Sequence, residues 1–328
     1  MSKEKKDGLE RVLVLEVARV TEAAAIAAAR FRGRGDKNGA DQAAVDAMRR
    51  DLGRVNIRGR VVIGEGEMDE APMLYIGEEV GTGDGPEVDI AVDPLEGTNI
   101  CATATPNALA VLAIAERGGL LHAPDIYMNK IAIGPGYPEG VVDLDAPPAD
   151  NLRALAKAKG VPVGEITACI LERPRHAELI KAVREAGAAA QLIPDGDIAG
   201  VIWTTDPNAT GVDIYLGSGG APEGVLAAAA LRCIGGQMQG RLMPLKEEER
   251  QRALKMGADV NRKYTMQDMA SGDVIFSASG VTDGWFLDGV RFHGDFAETE
   301  TVVMRAKTGT VRRIKTTFRN VSRKMAGL

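Results

Sequence analysis

Apolar positions recur at helical spacing from the start of this 328-residue chain. Leu9, Val12, Leu13, Val17, Val20 and Ala24 predict a helix over residues 9–30, with Asp7 placed to cap it. The polar, glycine-rich stretch 33–39 breaks the pattern, and a second helix is expected over 41–52. The period then shortens. Residues 60–63, 88–92 and 109–115 read as strands. The acidic, proline-bearing stretch 141–150 (Asp143, Asp145, Pro147, Pro148) looks like a connection between two halves, 1–145 and 146–328. Beyond it, helices at 151–159, 176–187 and 223–234 alternate with strands at 166–171, 189–193 and 211–216, which implies a parallel or mixed sheet. Residues 274–279, 301–306 and 310–317 read as β-hairpins. The seven Lys and Arg between Lys307 and Lys324, with no acid among them, fit a solvated hairpin edge.

Composition narrows the picture. Aromatics are scarce and Ala and Gly plentiful, which suits an α/β fold with close helix–sheet contacts. The length allows one large domain or two ordinary ones. A net charge of −6 argues against a nucleic-acid partner. Apolar runs such as 108–115 are too short to cross a bilayer, and the charged N-terminus has no apolar core of a secretory signal. Cys101, Cys169 and Cys233 are widely spaced and odd in number, so a reducing, cytoplasmic setting is expected.

The candidate chemistry lies at chain breaks. After the strand 88–92 come Asp93, Pro94, Leu95, Glu96, Gly97 and Thr98, where Pro94 fixes φ and Gly97 frees a sharp turn. Such a turn aims several oxygens at one point, which is what a hard divalent cation binds. Asp41, the group Glu65, Glu67 and Asp69, and Glu223 after Pro222 are the other acids at breaks. Ligands of open α/β sheets gather at strand ends, and clustered carboxylates repel unless a Mg²⁺ or Mn²⁺ pair relieves them. Each group alone is equally an ordinary acidic loop, and Pro222–Glu223 is also a good helix start.

The block 93–98 resembles the motif of the lithium-sensitive, metal-dependent phosphatase superfamily. Further stretches resemble class II fructose-1,6-bisphosphatases, the GlpX type. They are Gly35-Asp36-Lys37-Asn38 with Ala40-Asp41, Val62-Ile63-Gly64-Glu65-Gly66-Glu67, and Ala71-Pro72-Met73-Leu74-Tyr75-Ile76-Gly77-Glu78. Ala123-Pro124-Asp125-Ile126-Tyr127-Met128, Arg173-Pro174-Arg175-His176, Pro194-Asp195-Gly196-Asp197 and Gly219-Gly220-Ala221-Pro222-Glu223-Gly224 complete the set. The resemblance spans residues 9–313. It implies a layered αβαβα sugar-phosphatase fold, two sheets sandwiched by helices, with a metal-binding half over 1–145 and a sugar-phosphate half over 146–328. It implies removal of the 1-phosphate of fructose 1,6-bisphosphate with two or more Mn²⁺ or Mg²⁺ ions, in a homodimer or homotetramer. Asp41 and Glu65 would hold one metal; Asp93, Glu96 and Glu223 would hold a second. Glu96, Gly97, Thr98, Tyr127, Arg173, Pro174, Arg175, Asp195, Gly196, Asp197 and Gly220 would contact substrate. Lys37 and Asp69 lie in matching active-site stretches. Arg173 departs from the pattern, standing where many members carry Lys; the cation is kept but binds phosphate differently.

In chemical terms, Thr98 is placed to orient the attacking water and Glu65 to take its proton. Residues from Asn99 would begin a helix facing the phosphate. Arg173 and Arg175, flanking Pro174, would form a cationic socket for the phosphate on C6; without the resemblance they are equally an exposed basic turn. Asp195 and Asp197 would accept from sugar hydroxyls, or form an Asx-type turn capping a helix at Ile198. Tyr127 offers a flat face and a hydroxyl, or ordinary packing. Sedoheptulose 1,7-bisphosphatase activity is the alternative, and a non-catalytic sugar-phosphate sensor a third reading. The histidines have no zinc spacing, with His176 expected to support the basic turn, and Cys101 is expected in the core.

Overall fold

A computed structural model describes residues 9, 11–66, 73–319 and 321. Its strands are β1 (Arg58–Ile63), β2 (Glu79–Val80), β3 (Glu87–Glu96), β4 (Leu109–Glu116), β5 (Tyr127–Ile133), β6 (Thr167–Leu171) and β7 (Ala189–Ile193). They continue with β8 (Ile214–Gly220), β9 (Gln237–Met243), β10 (Tyr264–Thr265), β11 (Val274–Gly280), β12 (Arg291–His293), β13 (Phe296–Arg305) and β14 (Thr310–Arg319). The first mixed sheet runs β12-β13-β11-β4-β3-β1-β2, with β14 along the other edge of β13; the second runs β10-β9-β5-β8-β6-β7. The helices are α1 (Leu13–Ala29), α2 (Lys37–Leu52), α3 (Thr98–Thr103), α4 (Pro148–Lys159), α5 (Ala177–Glu185), α6 (Asp197–Trp203), α7 (Pro207–Thr210), α8 (Ala221–Ile234), α9 (Glu247–Lys255) and α10 (Met266–Met269).

Strand alternation builds the layers. On β4, Ala110, Leu112 and Ile114 face the core shared with α1 and α2, while Val111, Ala113 and Ala115 face the core around α8. On β6, Cys169 and Leu171 face that same central core, while Ala168 and Ile170 face α4 and α5. The order is therefore α1–α2, first sheet, α6–α8–α10, second sheet, α4–α5: the αβαβα layering. Central α8 is apolar nearly all round because sheets flank it, and its run Ala227–Ala230 lets both approach closely.

Three differences from the sequence reading have local causes. Helix α1 begins at Leu13, although Leu9 is buried; Asp7 lies outside the described residues. Helix α2 begins at Lys37, because Asp36 in the polar break caps it, accepting from the Gly39 N–H at 2.8 Å. The apolar period does not mark strands β5 and β9. Lys130 interrupts the apolar pattern of β5, and glutamines and an arginine occupy alternate positions of β9. The division between sheets does not fall at 145/146. β5 belongs to the second sheet, and residues 274–319 return to the first.

Candidate active site

Strands β1 and β3 are parallel, so both end at one rim of the first sheet. In the second sheet β6, β7 and β8 are parallel, and β5 begins where β8 ends, with Tyr127 opposite Gly220. The rims meet at the start of α6, where Glu96 accepts from the Ile198 N–H at 3.1 Å, and at the first turn of α8, which carries Glu223.

A bulge aims the carboxylates. Asp93 pairs with Val111 and Glu96 with Leu109, so β3 holds one residue more than β4 across this interval. The extra residue cancels the alternation and turns both acids to the side facing α8. Pro94 loses no ladder bond there, and Asp93 accepts from the Leu95 N–H at 3.1 Å. Gly97, at φ +81°, then turns the chain into α3, with Thr98 half-buried at its start. Glu223 lies flat against Gly220, where a Cβ would fall 1.9 Å from its Oε2.

Carboxylate oxygens of Asp93, Glu96 and Glu223 lie within 4.8 Å of one another. Glu65, in the loop after β1, joins Asp93 and Glu223 in lining a cavity of about 250 Å³ that Asp125 and Arg252 complete. Asp41 acts on the cluster from α2, its charge raising the proton affinity of both Glu65 and Asp93. Burial, then Asp41 and Asp93, push Glu65 up to about 8. Burial, then Asp93 and more weakly Asp197 and Glu223, hold Glu96 well above the ordinary carboxylate range. Burial and Asp197 raise Glu223, while Lys130 pulls it back. Among the described residues, Glu223 Oε2 is buried without a hydrogen-bond partner. An all-oxygen donor set with an unused acceptor and mutually repelling charges fits a hard divalent ion such as Mg²⁺ or Mn²⁺.

Beside this cluster the second sheet presents cations. Pro174 opens the 3₁₀ turn Pro174–His176 between the two arginines. The Arg175 guanidinium stacks 4.7 Å over the Tyr127 ring. Arg173 donates to the Pro194 carbonyl and lies 3.5 Å from Asp195.

A family model described as bacterial fructose-1,6-bisphosphatase, glpX-encoded, matches residues 11–318. The chain belongs to this family. It is 49% identical over 321 residues to "Fructose-1,6-bisphosphatase 1 class 2" of Escherichia coli (strain K12), covering 94% of this chain and 95% of that protein. Proteins called "Fructose-1,6-bisphosphatase class 2" in E. coli O6:H1 and Shigella flexneri show the same identity and coverage.

Against the residues that the family resemblance nominates, the structure draws several distinctions. Lys37 is exposed, one turn ahead of Asp41 on α2. Glu67 and Asp69 lie outside the described residues. Asp195 and Asp197 do not form a pair. Asp197 is buried and bonded to Lys130 and to the Tyr215 hydroxyl, the latter at 3.4 Å. Neither acid caps α6; Gly196, at φ +82°, occupies the cap position, and Glu96 reaches across to take the Ile198 N–H. Cys101 is a core residue, its thiol pushed up to about 11 by burial.

Lys130 and Arg252 are not singled out by the sequence, and Asp125 figures there only within a resembling stretch, without a role. Lys130 is 1% exposed and donates to Asp197 and, at 2.7 Å, to the Gly220 carbonyl. Its signal was a lone lysine inside an apolar run. Arg252 gave none, because a basic residue on a charged helix looks like any solvated one.

Proposed function

We propose that this chain hydrolyses the 1-phosphate of fructose 1,6-bisphosphate to fructose 6-phosphate and inorganic phosphate, using Mg²⁺ or Mn²⁺. Asp41 and Glu65 would hold one ion, and Asp93, Glu96 and Glu223 another. The observation that carries the reading is the carboxylate triad within 4.8 Å, beside an arginine-bearing strand end, in a chain of this family. When bound, the ions neutralise phosphoryl charge, acidify a water and hold the leaving oxygen.

The chain's own groups do the rest. Arg175, Arg173 and Tyr127 bind the phosphate on C6, and this distal grip places the 1-phosphate over the acidic cavity. Thr98, at the end of the bulged strand, orients the attacking water. Glu65 accepts a proton from that water, its neighbours Asp41 and Asp93 strengthening it as a base. Asp195, on the rim with Arg173, faces sugar hydroxyls. The expected setting is a cytoplasmic dimer or tetramer serving gluconeogenesis or a related sugar-phosphate route. No described helix is long and apolar enough to cross a membrane.

Phosphate release from a panel of sugar phosphates, with Mn²⁺, Mg²⁺ or EDTA, tests this. Release from fructose 1,6-bisphosphate that EDTA stops is the expected result. Release from sedoheptulose 1,7-bisphosphate alone overturns the substrate, and binding without release makes the chain a sensor.

A further inference from the structure

Beneath the arginine socket, His176 is 4% exposed, its ring wedged between the end of β6 and the end of β8. The main-chain N–H of Ser218 donates to His176 Nε2 at 2.9 Å, so Nε2 carries no proton. The proton sits on Nδ1, which donates to the Leu171 carbonyl at 2.8 Å. One tautomer is thereby selected. The Ser218 hydroxyl lies 3.0 Å from the same unprotonated Nε2, so it can only donate there, sharing the one Nε2 lone pair with the Ser218 N–H in a three-centre bond. Its oxygen then presents a lone pair to Arg175, whose Nε–H donates at 3.0 Å while Nη2 donates to the Ser218 carbonyl at 2.7 Å. Gly217 makes the arrangement possible, since a Cβ there would stand 3.1 Å from His176 Cε1.

We propose that His176 is a positioning residue for substrate binding: through the Ser218 hydroxyl it locks Arg175 in the orientation that receives the distal phosphate. The inference rests on the reading of Arg175 as a phosphate ligand. A serine hydroxyl without an acceptor rotates, and in part of its rotation turns its proton toward Arg175 Nε–H, where donor meets donor. With its proton directed at the Nε2 lone pair of His176, Ser218 Oγ keeps an acceptor lone pair toward Arg175. Both Ser218 oxygens then pin one edge of the guanidinium, and Tyr127 supports its face. The outer edge, which makes no hydrogen bond to the described residues, is preorganised for a bidentate anion, which lowers the ordering cost of binding.

The test is a double-mutant cycle on the metal-loaded enzyme, read as KM and kcat for fructose 1,6-bisphosphate, with melting temperature followed in parallel. Arg175→Ala is expected to raise KM for the bisphosphate and to leave KM for fructose 1-phosphate, which lacks the distal group, nearly unchanged. His176→Leu is expected to raise KM for the bisphosphate about fivefold with kcat within about twofold, and to add nothing in the Arg175→Ala background. If His176→Leu does not fold, Ser218→Ala removes the same link and carries the same expectation. A rise in KM for Arg175→Ala with none for His176→Leu or Ser218→Ala overturns the relay alone, as does additivity in the double variant. No effect of Arg175→Ala overturns the socket reading and the relay with it.

Discussion

Asp93 and Glu96 sit three residues apart on β3 and yet point to the same side, because Val111 and Leu109, their partners on β4, are only two apart. Inserting one alanine after Ala110 in β4 makes both intervals three residues long, removes the bulge and sends one acid to the α1–α2 side. Turnover is expected to fall at least about a hundredfold, roughly 2.7 kcal/mol of barrier, with metal affinity lost in calorimetric titration. An insertion variant that still binds Mn²⁺ normally would disconnect the bulge from the metal site.

Glu65, Asp93, Glu96 and Glu223 all bind protons more tightly in the metal-free fold than carboxylates usually do, chiefly because they are buried. The fold therefore holds more protons than the unfolded chain between the ordinary carboxylate range and about pH 8, the value for Glu65. Metal-free stability falls as pH rises through that window. Metal binding expels those protons and grows stronger in the same direction. The increase in melting temperature on adding Mg²⁺ should be larger at pH 8.5 than at pH 5.5, and equal increments would contradict these assignments.

Thr98 begins α3 at the mouth of the acidic cluster. Thr98→Ala is expected to lower kcat by more than about tenfold, roughly 1.4 kcal/mol, with KM little changed, whereas Thr98→Ser keeps the hydroxyl and most of the rate. A smaller loss in the alanine variant removes the water-orienting role.

Lys130 and Asp197 form an ion pair whose side chains are 1% and 6% exposed. Lys130→Met strands a buried carboxylate and is expected to cost about 3–5 kcal/mol in urea unfolding. Adding Asp197→Asn removes the stranded charge and should recover a large part of that loss. Full stability in Lys130→Met would mean that Asp197 is held by other groups.

The hydrophobic period and the turn chemistry by themselves determined most long elements of the first sheet and of the helices, and located Asp93, Glu96 and Glu223 at element ends. Those signals are local: an apolar stripe, a proline, a glycine or an acid acts within a few residues of itself. Tertiary structure alone decided that β5 and β9 join one sheet and residues 274–319 the other. It also turned Asp197 toward Lys130, 67 positions away, and set Ser218 between His176 and Arg175, some 42 positions away. A buried charge or hydroxyl takes whichever partner the packed layers bring within 3 Å or so, and that partner leaves no trace in the residues beside it.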